Sequence, residues 1–553
     1  MDFKKSLSCH SVAGRWLVWL VLTHSGLTLR ASNLDTIGVT VLRAVTTNLA
    51  GAGVRVAQVE AGYNLGTNWE VNPTGLGQPI GLFKYFGFGG SATNFPNSIS
   101  SESGHAGAVA YYFYGVPGGV ATNVAHVDNY DANFFVQENI VANGLTTNYI
   151  LSLPATNIND PVVNQSFIVC NPDYSHYPVS WEQTVNSNYD NYAVQFKTLF
   201  VSGAGNGGPT NQAYVYPPAT CYNGLGVATY GGSSCIGPTL DNGRCKPDIT
   251  APADATSFST PQVAGAAAVL LQAGGRGDGG ADTNSATDIR TVKALLLNGA
   301  VKPADWTNSA VSPLDARYGA GMVNLLNSYE QLAGGKQSYI DSGWAPAGSA
   351  HPPTGATGTV AALRGWDFNS LSSLTHPAYD AMSEYLFDVT NSDTGAQFTA
   401  TATLVWNRQQ GQAAINNLAL FLYNCANSNL VACSTSLVDN VQHLFVPNLA
   451  QGRYDLQVWK AGGSGLVSAG ESYALAWEFF SERLGLSNSG TSWALTWPVY
   501  PAGFVVESST TLSPPQNWST NALPSPVVTN RQNVLMINPA NAGQFFRLRQ
   551  PDF

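Results

Sequence analysis

A chain of 553 residues that is 44% apolar has material for several domains with substantial cores. Only 10% of its residues are charged, while Gly (56) and Pro (30) are plentiful, which excludes long helical bundles and coiled coils and favours strand- and loop-rich domains. The formal net charge is −10 and no basic patch is present, which argues against nucleic acid as a partner.

The first expected element is an export signal over residues 1–31. Lys4, Lys5 and Arg15 precede the apolar run Trp16–Leu22, and a polar break leads to LRAS, with a cleavage site near Ala31. Leu29 is large for the position three before the cut. So short an apolar run cannot span a bilayer, which takes about 20 residues, and no later segment reads as transmembrane.

Residues 32–335 alternate apolar runs with Gly-rich loops and helical stretches. Strands are expected at 54–59 (VRVAQV), 122–127 (TNVAHV), 160–167 (DPVVNQSF), 197–204 (KTLFVSGA) and 224–229 (GLGVAT). Helices are expected at 105–115, 259–274 and 287–300. This alternation predicts an α/β fold with a mostly parallel sheet. The loop 274–286 carries Arg276-Gly277-Asp278, read as solvated loop rather than an adhesive motif. Residues 336–358 are rich in Gly, Pro, Ser and Ala and mark a boundary. From there to 483, short strands separated by Asn/Gly/Ser turns predict an antiparallel β-sandwich of jelly-roll kind, and 484–553 a small C-terminal β module.

Of seven cysteines, Cys9 lies in the export segment, leaving an even number in an exported chain, which predicts disulfides. Cys425 and Cys433 bracket a strand-turn-strand pattern and are expected to pair across it. Cys170, Cys221, Cys235 and Cys245 allow three pairings; Cys235–Cys245 with Cys170–Cys221 is favoured, because Cys235 and Cys245 flank a Gly/Asn turn region. Zinc is disfavoured by the lack of a CxxC or clustered histidines.

Two positions stand out chemically. The apolar strand 54–59 runs straight into the carboxylate Glu60, then Ala61 and Gly62. Ser257 sits where a loop enters a helix that is apolar nearly all round, and so is buried. That position would hold the hydroxyl rigidly at a positive helix end, although a serine there also suits a plain N-cap.

ATSFSTPQVAG (255–265) closely resembles the nucleophile motif of the subtilisin-like serine peptidases, the subtilases, with Ser257 on the nucleophile, Ala255 for the usual Gly and Ser259 for the usual Ala. The other landmarks follow in the family's order. VRVAQVEAG resembles the strand ending in the catalytic Asp, with Glu60 in its place. SGHAGAVA puts His105 on the catalytic base. VVNQSF resembles the substrate-binding strand, with Ser166 at its usual Ser. VSGAGNGGP puts Asn206 on the oxyanion donor, and KPDITAP, TVKALLLNGA and YGAGMVN match further segments.

The resemblance covers about 35–335. It implies a serine endopeptidase acting through Glu60, His105 and Ser257, with Asn206 at the oxyanion and Ser166, Phe167 and Ile168 binding substrate. Such chemistry needs a base to activate the hydroxyl, a carboxylate behind the base, and donors for the oxyanion.

Several departures bear on this reading. Glu exceeds Asp by one C–C bond, about 1.5 Å. APADATS is short, so a hairpin before the nucleophile is missing. FIVCN replaces a Gly-rich pocket wall, and no inhibitory pro-domain of normal length fits between Ala31 and Gly53. The sedolisins, which use Glu, Asp and Ser, fit less well, because His105 and Asn206 are present. Residues 417–462 resemble the β-sandwich domains that follow many secreted bacterial peptidases, and the terminal strands resemble short C-terminal β modules of exported bacterial proteins.

The expected partner is a protein or peptide substrate, the expected location extracellular or periplasmic, and the expected state monomeric. No cofactor is required, structural calcium remains open, and no metal ligand is assigned. The competing reading is a non-catalytic binding or adhesion protein on an inactivated subtilase scaffold.

Overall fold

The structure, a computed structural model, describes residues 32–549 apart from 63–67, 97–98, 137–149, 151–154, 172, 208–213, 339–340, 350–351, 354–357, 392–395, 482–483, 491, 500–503, 514–516, 521–522, 530–531 and 539–542. The expected export signal, 1–31, lies outside the described residues.

An eight-stranded sheet forms the centre of the N-terminal part. Its strands are β1 (Arg55–Glu60), β2 (Phe83–Gly87), β3 (Gly90–Ala92), β4 (His126–Asp131), β5 (Val162–Gln165), β6 (Leu199–Gly203), β7 (Leu225–Tyr230) and β8 (Ile249–Pro252). They lie in the order β3-β2-β4-β1-β5-β6-β7-β8, parallel except for the β2–β3 hairpin. The helix Thr256–Gly275 crosses β5, β6 and β7 and packs on the helix Gly104–Phe113. Val263, Ala264, Ala266, Ala267, Ala268, Val269 and Leu270 are fully buried, which accounts for a helix with no polar face. Only Ala253–Ala255 join β8 to this helix, so no hairpin intervenes before Ser257.

The α/β architecture is as expected, but individual elements differ. The strand expected at 122–127 begins at His126 and runs to Asp131. Its inner positions Asp128 and Asn129 are polar yet buried: Asp128 pairs with Arg55 and His126, and Asn129 Oδ1 accepts from Val71 N–H. The helix Val179–Phe196 lies outside the expected helices. It is nonetheless amphipathic, burying Val185, Tyr189, Tyr192 and Ala193 at helical spacing. The Arg276–Asp278 loop folds on itself, its guanidinium bonded to its own carboxylate at 2.6 Å.

Nine strands between Asp341 and Phe480 form a four-stranded and a five-stranded antiparallel sheet, which share an apolar core around Tyr385, Phe387, Leu404, Leu456 and Trp477. Six more strands, to Arg549, form two small sheets. The boundary with the α/β part is continuous packing. Trp366, Val405, Val441, Ala474 and Ala476 belong to the same apolar cluster as the central sheet. Trp366 Nε1 donates to Leu332 O, Arg408 pairs with the buried Asp190 at 2.6 Å, and Thr401 and Thr403 both donate to Asn298 Oδ1.

The expected disulfides are corrected: all six described cysteines are free thiols. Cys433 stands opposite Phe421 in the hairpin of Leu418–Asn424 and Asn429–Ser434, whereas Cys425 lies beyond the Asn424–Asn429 pair. Four residues of strand separate them, about 13 Å, against an upper limit of about 7 Å between bridged Cα atoms. Cys221 is in the central core and Cys170 packs on a separate cluster around Ala204, so that pair is apart too. Cys235 is a member of that second cluster, while Cys245 packs against the central core and its N–H donates to Asp439.

Between β7 and β8, Asp248 lies between two buried ammonium groups, Lys246 at 2.5 Å and Lys293 at 3.1 Å. Burial disfavours its charge, but the two lysines outweigh burial and hold its carboxyl below the ordinary value. Burial pushes Lys293 down to about 8 against the pull of Asp248. Asp248→Ala leaves both cations without their counter-charge and is expected to cost about 3–5 kcal/mol in urea unfolding. Because the folded pKa is depressed, this stabilisation is complete above the unfolded carboxylate value near 4 and is lost as pH falls through the folded one. An unchanged urea midpoint in Asp248→Ala would overturn this, with Lys293 held by the carbonyls of Tyr222 and Gly224 to which it also donates.

Candidate active site

The carboxyl ends of β1, β5 and β6 and the first turns of two helices converge at one edge of the sheet, the usual place for a site in an open parallel sheet. Glu60 is the last residue of β1 and is buried. Ser166 directly follows β5, one position past the Val59–Gln165 pair. Asn206 lies in the loop after β6. His105 is the second residue of its helix, whose N-cap Ser103 accepts from Ala106 N–H. Ser257 is the second residue of the buried helix; the N-cap is Ala255, so the Ser257 hydroxyl is not engaged as the cap.

His105 Nδ1 and Glu60 Oε2 are 2.8 Å apart. With Nδ1–H donating to the carboxylate, Nε2 is left with its lone pair. Burial disfavours the imidazolium, but the hydrogen bond and charge of Glu60 outweigh it, so His105 titrates above the ordinary histidine value. The second carboxylate oxygen, Oε1, accepts from Gln58 Nε2 at 2.8 Å. Gln58 is itself fixed: Nε2 also donates to Ala106 O, and Oε1 accepts from Tyr114 OH at 2.6 Å. Gln58 and Glu60 share a strand face through the two-residue period, so this clamp holds the longer side chain in place.

Sequence reasoning missed Gln58 and Tyr114. The available signal was a glutamine inside an otherwise apolar strand, which must be hydrogen-bonded when buried.

Asn206 is exposed and its amide is oriented. Oδ1 accepts from both Thr256 N–H and Thr256 Oγ1 at 2.8 Å, which turns Nδ2 outward as a donor. The preceding Gly205 has φ +104°, a value that strains any residue with a Cβ. Ser257 N–H lies in the first turn of its helix, where backbone donors lack intrahelical acceptors. Nδ2 and this N–H could together receive a developing negative oxygen.

Ser166 is not free to bind a ligand through its hydroxyl. Its Oγ donates to Ser257 O at 2.9 Å and accepts from Asn164 Nδ2, so it braces the turn that carries Ser257. Phe167 packs on the central core, and Ile168 on the cluster of Ala204, Tyr216 and Cys235. Phe258, beside Ser257, lies 5.9 Å from the His105 ring. Among the described residues no hydrogen bond joins Ser257 Oγ to His105; such bonds often tighten only when substrate binds.

Residues 91–321 match the subtilase family model. The matched stretch includes His105, Asn206 and Ser257 and begins after Glu60. No curated protein matches the sequence. Similar solved structures include the prenylagaramide maturation protease PagA, 19% identical over 54% of this chain and 99% of that one, with a TM-score of 0.33. Others are a cold adapted subtilisin-like serine proteinase, 20% identical over 50% and 89% with a TM-score of 0.30, and the nisin leader peptidase NisP from Lactococcus lactis, 15% identical over 52% and 92% with a TM-score of 0.32. The subtilase match thus covers less than half of the chain, the stretch that holds His105, Asn206 and Ser257. The subtilase-like α/β domain is followed by the antiparallel sheets described above.

Proposed function

We propose that the protein is an exported serine endopeptidase with Glu60, His105 and Ser257 as its triad. The observation that carries this reading is the Glu60–His105 hydrogen bond, which faces the imidazole's free nitrogen away from the carboxylate. In the proposed cycle Ser257 Oγ attacks a peptide carbonyl while His105 Nε2 takes its proton. The oxyanion is received by Asn206 Nδ2 and Ser257 N–H. Collapse breaks the C–N bond, His105 protonates the leaving amine, and water then releases the acyl group by the same route. Glu60 keeps the imidazole in the right tautomer and stabilises its protonated form. Export is inferred from residues 1–31 alone.

A fluorophosphonate is expected to label Ser257, as located by peptide mapping, and Asn206→Ala is expected to lower kcat by about 10²–10³ with little change in KM. A loss confined to KM would make Asn206 a substrate anchor instead. The competing reading is a binding protein on an inactive scaffold. An intact protein whose Ser257 resists the label would select it.

A further inference from the structure

A cavity of about 290 Å³ lies on the seam between the α/β part and the antiparallel sheets. One wall is the end of the helix Val179–Phe196 and the start of the helix Ile289–Asn298. The other is formed by the strands Arg364–Ser372 and Gly470–Phe480 and by the residues that follow Trp406. Its size is at the small end of the range for ligand pockets, roughly 300–1,000 Å³. Most of the charge on its walls is already paired. Arg290 grips Asp288 through Nε and Nη2 at 2.8 and 2.9 Å and donates to Ser472 O. Glu471 is buried, and its carboxyl accepts from Gln409 Nε2, Asn416 Nδ2 and Ser472 N–H. Four lining groups have no hydrogen bond or ion pair with any described residue: the Lys197 ammonium, the Asn407 carboxamide and the hydroxyls of Ser370 and Ser472. Ser370 and Ser472 stand directly opposite one another in the β-ladder, so their hydroxyls share a face. Asn407 is only 6% exposed, and a side-chain amide so buried is normally hydrogen-bonded. Lys197 closes its helix at φ 54°, the left-handed conformation in which Gly or Asn is the usual residue.

We propose that this cavity binds a small hydroxylated carboxylate, of the size of a sugar acid, which ties the helix Val179–Phe196 to the antiparallel sheets. The ligand's carboxylate pairs with Lys197, the one lining cation that lacks a counter-charge among the described residues. Its hydroxyls exchange hydrogen bonds with Asn407, Ser370 and Ser472, each of which can both donate and accept. The acids on the walls disfavour the opposite charge. An incoming ammonium would have to displace Arg290 from Asp288, or the donors that surround Glu471. A purely apolar ligand would leave the Asn407 carboxamide buried without a partner, which is costly. None of the lining residues belongs to the proposed triad, so the inference is independent of the peptidase reading.

The test is isothermal titration calorimetry of the full-length protein with glucuronate, glucose and glucosamine, which are of similar size and differ in charge. Glucuronate is expected to bind saturably and about 10-fold or more tightly than either of the others, the share of one charge-assisted hydrogen bond. Lys197→Gly and Asn407→Leu are each expected to weaken glucuronate by about 10-fold or more. Both ligand-free variants should melt no lower than the wild type. Gly suits the left-handed backbone at 197, and the Asn407 carboxamide holds nothing in the protein that Leu would release. Glucuronate should raise the Tm of the wild type and leave that of Lys197→Gly in place. Glucuronate binding that is equal in the wild type and Lys197→Gly overturns the proposal, as does glucose binding as tightly as glucuronate. The absence of saturable heat with glucuronate overturns it as well. A ligand-free Lys197→Gly that melts well below the wild type would assign Lys197 to the helix end and remove it from the site.

Discussion

Glu60→Gln is expected to lower kcat/KM by about 10⁴. The size follows from the clamp around the side chain. Gln58 Nε2 donates to one oxygen of Glu60 and His105 Nδ1 to the other. In the variant the amide oxygen would keep the Gln58 donor, because Gln58 is locked by Ala106 O and Tyr114 OH. The new NH₂ would then face His105 Nδ1 and select the tautomer whose Nε2 carries a proton, which cannot accept one from Ser257. The pH profile should move as well. Glu60 holds the imidazole pKa up against burial; without its charge, burial alone acts and the pKa falls. The acid limb of kcat/KM, where the base is lost as pH drops, should then shift to lower pH on top of the rate loss. Glu60→Asp keeps the charge but falls about 1.5 Å short, so it should retain more activity than Gln while losing one of the two contacts. The measurement is kcat/KM for the three proteins between about pH 5 and 9. Wild-type rates in the Gln variant would mean that His105 is served by another acid or by none.

Ser257→Ala should abolish fluorophosphonate labelling and lower kcat by about 10⁶, leaving the background supplied by oxyanion donors and binding alone. The fold should survive, since the groups that hold this turn, Ser257 O to Ser166 and Thr256 to Asn206, do not involve the lost hydroxyl. Members of a triad act as one unit, so the double variant Glu60→Gln/Ser257→Ala should be no slower than Ser257→Ala by itself. A double variant slower by the product of the two effects would place Glu60 and Ser257 in separate functions.

How much of this was legible beforehand differs by residue. Glu60 stood out in the sequence as a carboxylate ending an apolar strand, and the structure buries it against His105 rather than leaving it in water. Ser257, His105 and Asn206 were singled out by the resemblance of their segments to the subtilase motifs, and the structure places all three near the carboxyl edge of the sheet, His105 against Glu60 and Asn206 against Thr256. Gln58 could not be read in this way, because its meaning depends on Tyr114, 56 residues away. The same limit hid the helix Val179–Phe196 and misplaced β4: both bury carboxylates, Asp190 and Asp128, whose guanidinium partners, Arg408 and Arg55, are distant in sequence. The cysteines misled for a related reason. Their spacing fits a hairpin pair, but register, set by Asn424 and Asn429, puts Cys425 and Cys433 out of reach.

The continuous core between the central sheet and the antiparallel sheets has a consequence for synthesis. On a ribosome the residues of the site emerge in the first half of the chain, Ser257 shortly before its midpoint. The apolar surface beneath them, however, is closed by Trp366, Val405, Val441 and Ala474, and Asp190 waits for Arg408. A nascent chain ending near residue 335 therefore carries Glu60, His105, Asn206 and Ser257 on an unfinished scaffold. Until the strands ending at Phe480 are made, the apolar face of the central sheet and the buried Asp190 stay without the groups that cover them, so the two parts of the chain complete one another's core.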